Sequence, residues 1–145
     1  MEFCTSDLIH CHDDLILALM LNPIHGNFKN PRAWEFKGKV RASDYGLKLG
    51  VKRGTTIREV PVPEITTVQR AAFGILCSLE VPQSKAYKKW AQDWLSGKDR
   101  SAAAAYAAAD AARAAADAAR VAADAAKQEL DLVALAHKAM EVVPS

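Results

Sequence analysis

The sequence predicts an α+β protein: an N-terminal helix and a small antiparallel meander of three or four strands, then a C-terminal helical bundle containing one long alanine-rich helix. Two changes of pattern and one tract predict it. Helical spacing of apolar residues gives way to strict alternation after Ala33 and returns after Thr66. Ser101 to Lys127 is then almost pure alanine, the residue that loses least on entering a helix. Pro61-Val62-Pro63 separates the two regimes and divides the 145 residues into 1–60 and 61–145.

Thr5, Ser6 and Asp7 are alternative N-caps for a first helix running to about Leu21, with Leu8, Cys11, Leu15 and Leu19 on one face. Asn22-Pro23 and His25-Gly26-Asn27 are expected to break it. In the second regime Trp34 and Phe36 alternate with Glu35 and Lys37, and Tyr45, Leu47, Leu49 and Val51 with Gly46, Lys48 and Gly50. This is the pattern of strands with one buried face, and it places the aromatic residues there. Gly38, Ser43-Asp44 and Arg53-Gly54 are the expected turns.

Thr66-x-x-Gln69 forms a capping box for a helix ending near Glu80, with Val68, Ala72, Ile75, Leu76 and Leu79 inward. Ser84 caps the next, on which Tyr87, Trp90, Ala91, Trp94 and Leu95 follow helical spacing, and Gly97 is placed to end it. In the alanine tract Tyr106, Asp110, Arg113, Asp117, Arg120, Asp124 and Lys127 are spaced alternately by four and three residues, a continuous stripe of alternating charge. One bare face of that helix should pack on the Tyr87/Trp90/Trp94 helix or on the final one. Asp131 caps that final helix, with Leu132, Leu135, Ala136, Ala139, Met140 and Val143 inward.

Net charge is only +2, but it is unevenly placed. Nine Lys or Arg face three acids between Lys29 and Glu59, whereas the first 28 residues hold four acids and no Lys or Arg. Three cysteines give no disulfide framework. No secretory leader and no span of about 20 apolar residues is read, so a cytoplasmic chain without membrane contact is expected. Cys4, His10, Cys11, His12, Asp13 and Asp14 are the densest reactive group, yet they lack the second ligand pair of a structural zinc site. No nucleophile elbow, phosphate loop or zinc-protease motif occurs. A non-enzymatic protein without metal or cofactor is expected.

Two surfaces remain as candidate contacts. The basic meander offers Lys37, Lys39, Arg41, Lys48, Lys52, Arg53 and Arg58 among aromatic residues, a pattern that can neutralise phosphates. The alanine helix offers Asp110, Arg113, Asp117 and Arg120, a charge ladder that could select a partner.

Pro63-Glu-Ile-Thr-Thr-x-Gln-Arg70, Phe73-x-Ile-Leu-Cys-x-Leu-Glu80, Trp90-Ala-x-x-Trp-Leu-Ser-Gly-x-Asp-Arg-Ser101, the alanine tract and Leu130-Asp-Leu-x-x-Leu-Ala-x-x-Ala resemble the C-terminal part of a group of small bacteriophage and prophage proteins. The resemblance spans roughly 61–143 and implies a setting, a mobile element in a bacterial host cell, but no catalytic residue. With no catalytic motif present, it leads to the expectation of a protein that binds and inhibits a host complex, an anti-defence (anti-CRISPR-like) inhibitor of a CRISPR effector. The alternatives are a nucleic-acid-binding accessory protein using the meander and a phage structural or assembly protein.

Overall fold

A computed structural model describes residues 7–101 and 130–143. The chain is α+β, with a three-stranded antiparallel sheet and four helices among the described residues, arranged in two compact units, Met1–Glu64 and Ile65–Ser145. Asp110, Arg113, Asp117 and Arg120, the rest of the alanine tract after Ser101, and Cys4 lie outside the described residues.

In the first unit the first element among the described residues is a strand, where the sequence predicts a helix. Strand β1 (Ile9–Cys11) precedes helix α1 (Leu15–His25), and Asp14 is the cap: its Oδ1 accepts from the Leu17 amide at 2.8 Å. The three residues of β1 satisfy their backbone on a strand about 40 positions away, a non-local gain that outweighs helical spacing. Nor does Asn22-Pro23 end α1, which runs through Pro23 to His25. The Asn22 amide then fastens the exit by two bonds, donating to the Phe28 carbonyl at 2.9 Å and accepting from its amide at 3.0 Å.

Residues 33–60 form two long strands, β2 (Ala33–Ser43) and β3 (Leu49–Val60), and the sheet order is β1-β3-β2. Among the expected turns only Ser43-Asp44 lies at one. The Leu47 amide bonds the Asp44 carbonyl at 2.8 Å, and φ is +47° at Tyr45 and +80° at Gly46. Positive φ at both central residues marks the hairpin turns that match strand twist. Gly38 and Gly54, expected as turns, pair with one another inside the ribbon. A Cβ on Gly54 would enter the Phe36 ring and lie 2.7 Å from the Lys37 carbonyl, so the ring fills the space that the paired glycines leave.

The core of this unit is short: Leu17, Leu19, Met20 and Leu21 from α1, and Val51 from β3. β1 flanks β3 only at Leu49–Val51, so beyond Val51 the sheet has two strands among the described residues. The expectation of one buried face fails there, because only a local pattern was visible and what covers a strand is non-local. Trp34 is 48% exposed, Val40 48% and Ile57 57%, and Tyr45, in the turn, is 55% exposed.

The second unit packs α2 (Thr67–Leu79), α3 (Lys85–Leu95) and α4 (Leu132–Met140). Both bonds of the Thr66/Gln69 capping box are made, and Ser84 and Asp131 cap α3 and α4. The Gln69 side chain also donates to the Met140 carbonyl at 3.0 Å, tying the start of α2 to the end of α4. Fully buried Ala136 and Ala139 keep the facing surface of α4 small, which favours close approach of the α2 backbone. Leu132 and Leu135 are inward as expected, whereas Val143 lies past the helix end and is 74% exposed.

Trp-Leu-Ser-Gly-Lys-Asp-Arg-Ser (94–101), the least generic stretch of the resemblance, is a helix terminator and clamp. Gly97 has φ +81°, the left-handed conformation that closes helices. Arg100 lies 5.3 Å from the Trp94 ring centroid and donates Nε to the Trp94 carbonyl (3.0 Å), Nη2 to Leu95 (3.2 Å) and Nη1 to Val143 (2.7 Å).

Candidate functional site: a cationic two-stranded ribbon

The basic residues in and just before β2 and in β3 fall into two sets. At the open end of the ribbon charges cancel. Arg32 makes a bidentate pair with Glu59 (2.7 Å for each bond) and lies 5.3 Å from the Trp34 ring centroid, and Arg58 bonds Glu35 at 2.6 Å. The Arg32 hydrogen bond holds the Glu59 carboxyl below its ordinary range. These pairs are exposed, so they add little stability. They do remove Arg58 from the cations available to a partner.

In the middle of the ribbon charges accumulate instead. Lys37, Lys39, Arg41, Lys52 and Arg53 are all exposed, and none is in an ion pair among the described residues. The register explains the crowding. Pairing passes from Gly38↔Gly54 to Val40↔Val51, so Lys39 alone stands opposite both Lys52 and Arg53. It then passes from Val40↔Val51 to Ala42↔Gly50, leaving Arg41 as an extra residue on β2. Four of the five cations therefore sit at bulges, the irregularities that re-aim side chains. Like charges opposed across strands destabilise a sheet, and here no acid relieves them. A two-stranded ribbon is already marginal in water.

The two faces differ. A Cβ on Gly38 would meet the Phe36 ring and the Val51 side chain, which fixes Phe36, Gly38, Val51 and Gly54 on the core-side face. Alternation then places Lys37, Lys39, Arg53 and Thr55 on the other. Lys48 stands apart from this group, half-buried beside the turn near His12 and His25.

His12 and His25 stack with ring centroids 6.2 Å apart and planes inclined by 16°. Burial lowers both pKa values, and the positive charge of Lys48 adds to it. His10 and Asp14 do not share a helix: His10 is in β1 and Asp14 caps α1. Among the described residues no three His, Cys, Asp or Glu gather where they could hold a metal ion. Burial raises the thiol of Cys11 and pushes that of Cys77 up to about 12, so neither is a ready nucleophile.

In the second unit a concavity of about 570 Å³ lies between the ends of α3 and α4, lined by Leu76, Leu95, Gly97, Arg100, Lys138 and Glu141. Its Arg100 is already committed to three carbonyls. No helix among the described residues is long and apolar enough to cross a membrane. Compared with known protein families, curated proteins and solved structures, the chain matches none.

Proposed function

We propose that this chain is a non-enzymatic nucleic-acid-binding protein and that the β2–β3 ribbon is its contact surface. One observation carries the reading: five exposed cations without acidic partners, four of them at bulges, concentrated on a strand pair too thin to be self-sufficient. A polyanion supplies the missing counter-charge and releases its own condensed ions, a sequence-independent source of affinity. The test is fluorescence anisotropy with a labelled 30-nucleotide DNA, single-stranded or paired, across a salt series. Binding should weaken steeply with salt, and in Lys37→Gln/Lys39→Gln/Arg53→Gln it should be much weaker and less dependent on salt. Salt-insensitive binding, or none to either form, refutes the reading.

A second reading has its own support. Trp34, Val40 and Ile57 are half exposed on the same ribbon, and aromatic residues next to cations are typical of protein interfaces. This favours a phage or mobile-element protein that occupies a host complex, with a CRISPR effector as the leading candidate. A stoichiometric complex formed with a purified effector, abolished by Trp34→Ala/Ile57→Ala and insensitive to nuclease, would establish it. Unchanged phage restriction on expression would count against it.

A further inference from the structure

We infer that the ribbon is built for duplex DNA and enters its major groove with the Lys37/Lys39/Arg53 face. The inference rests on the reading of the ribbon as a nucleic-acid contact and specifies the form of nucleic acid. Three observations carry it.

The first is thickness. From Lys52 to Glu59, β3 pairs only with β2 among the described residues, so the element is a ribbon of two strands, roughly 10 Å wide with its backbone edges. The major groove is about 12 Å wide and admits a two-stranded ribbon. The second is the distribution of charge. Lys37 to Arg41 spans four residue steps, about 13 Å, with Lys52 and Arg53 alongside. Cations at the bulged edges, Arg41 and Lys52, are placed to meet phosphates while Lys37, Lys39, Arg53 and Thr55 face the groove floor.

The third is the state of the aromatic residues. Single strands are held by stacking bases on open rings set among cations. Here the Phe36 ring is folded over Gly38 and Gly54, and the Arg32 guanidinium lies over Trp34. Tyr45 is exposed, but it sits in the turn beyond the cationic stretch. No open ring stands among Lys37, Lys39, Arg53 and Thr55 to receive a base. A second copy of this chain is a poor occupant for the same face, because it would set cations against cations.

The experiment uses the full chain with a 20-base-pair mixed-sequence duplex and its separated strands. The duplex should bind at least 10-fold tighter than either strand. With all five cations brought into the phosphate field of the duplex, each releasing about one condensed counterion, the logarithmic salt slope should be about −4.5, an affinity loss of about 500-fold between 50 and 200 mM salt. Removing three cations in Lys37→Gln/Lys39→Gln/Arg53→Gln should reduce that loss to about 12-fold. Guanine N7 atoms, which line the major groove, should be protected from dimethyl sulfate. Lys85→Gln/Lys88→Gln, exposed on α3, should bind as the unaltered chain does, and circular dichroism checks that each variant is folded.

Equal or tighter binding of single strands, or guanines that stay reactive in the complex, overturns groove docking and leaves the proposed function standing. Equal weakening by the α3 variant overturns it as diffuse attraction. Failure to bind any nucleic acid overturns both readings together.

Discussion

Arg100 holds three main-chain carbonyls from two helix ends with one planar group, which makes its replacement informative about the second unit. The bonds to Trp94 and Leu95 are partly buried and place a cation on the negative end of α3. Each is worth about 1–1.5 kcal/mol. The bond to Val143 is exposed and adds under about 0.5 kcal/mol, and the contact with the Trp94 ring adds about 0.5–1 kcal/mol. Arg100→Ala should therefore cost about 3 kcal/mol. Arg100→Lys keeps the charge but can reach only one carbonyl at a time, so it should cost about 2 kcal/mol. Urea unfolding followed by tryptophan fluorescence measures both, in a Trp34→Phe background so that only Trp90 and Trp94 report. With a urea slope of about 1.5 kcal/mol per molar, the alanine variant should unfold about 2 M earlier. An alanine variant within about 0.5 kcal/mol of the parent, or a lysine variant equal to it, would show that the clamp does not fasten α3 to the end of α4.

Three further expectations follow from the same geometry. Gly54→Ala drives a methyl into Phe36 and the Lys37 carbonyl, so it should cost about 1–3 kcal/mol and less in a Phe36→Ala background, measured by thermal melting. His12 and His25 are lowered from the ordinary value of 6.5. The unfolded chain therefore binds more protons below that pH, and the stability they contribute is present above pH 6.5 and lost as pH falls. Melting between pH 7.5 and 5.5 should show this loss, and His12→Gln/His25→Gln should flatten it. Cys77, pushed up to about 12, should resist a thiol reagent at pH 8 until urea is added, as followed by mass spectrometry.

The helices were legible wherever their signals are local. Thr66 with Gln69, Ser84, Gly97 and Asp131 each act through backbone atoms within three or four residues, and each does what its residue type predicts. The sheet was legible only as alternation. Ile9-His10-Cys11 reads equally as the start of a helix, and its pairing with Leu49–Val51 depends on a segment that local spacing cannot see. Gly38 and Gly54 carry the same signal whether they turn a chain or let a ring lie across it. The basic residues were visible in the sequence as a group. Their division into neutralised Arg58 and unneutralised Lys37, Lys39, Arg41, Lys52 and Arg53 was not, because it follows from register and bulges.

The outer edge of β2 also bears on how concentrated solutions of the protein behave. Among the described residues no strand flanks it over its 11 residues, and such a row of backbone donors and acceptors invites strands from other molecules. Lys37, Lys39 and Arg41 lie along that row, and the bulges near Lys39 and Arg41 interrupt its regular spacing. Mutual repulsion between copies thus keeps the molecules apart, with a range set by the Debye length, about 10 Å at 0.1 M salt and 3 Å at 1 M. Colloidal stability should accordingly decline as salt is raised, and a polyanion that neutralises these lysines while leaving the edge bare should bring the onset of strand-mediated aggregation to lower protein concentration.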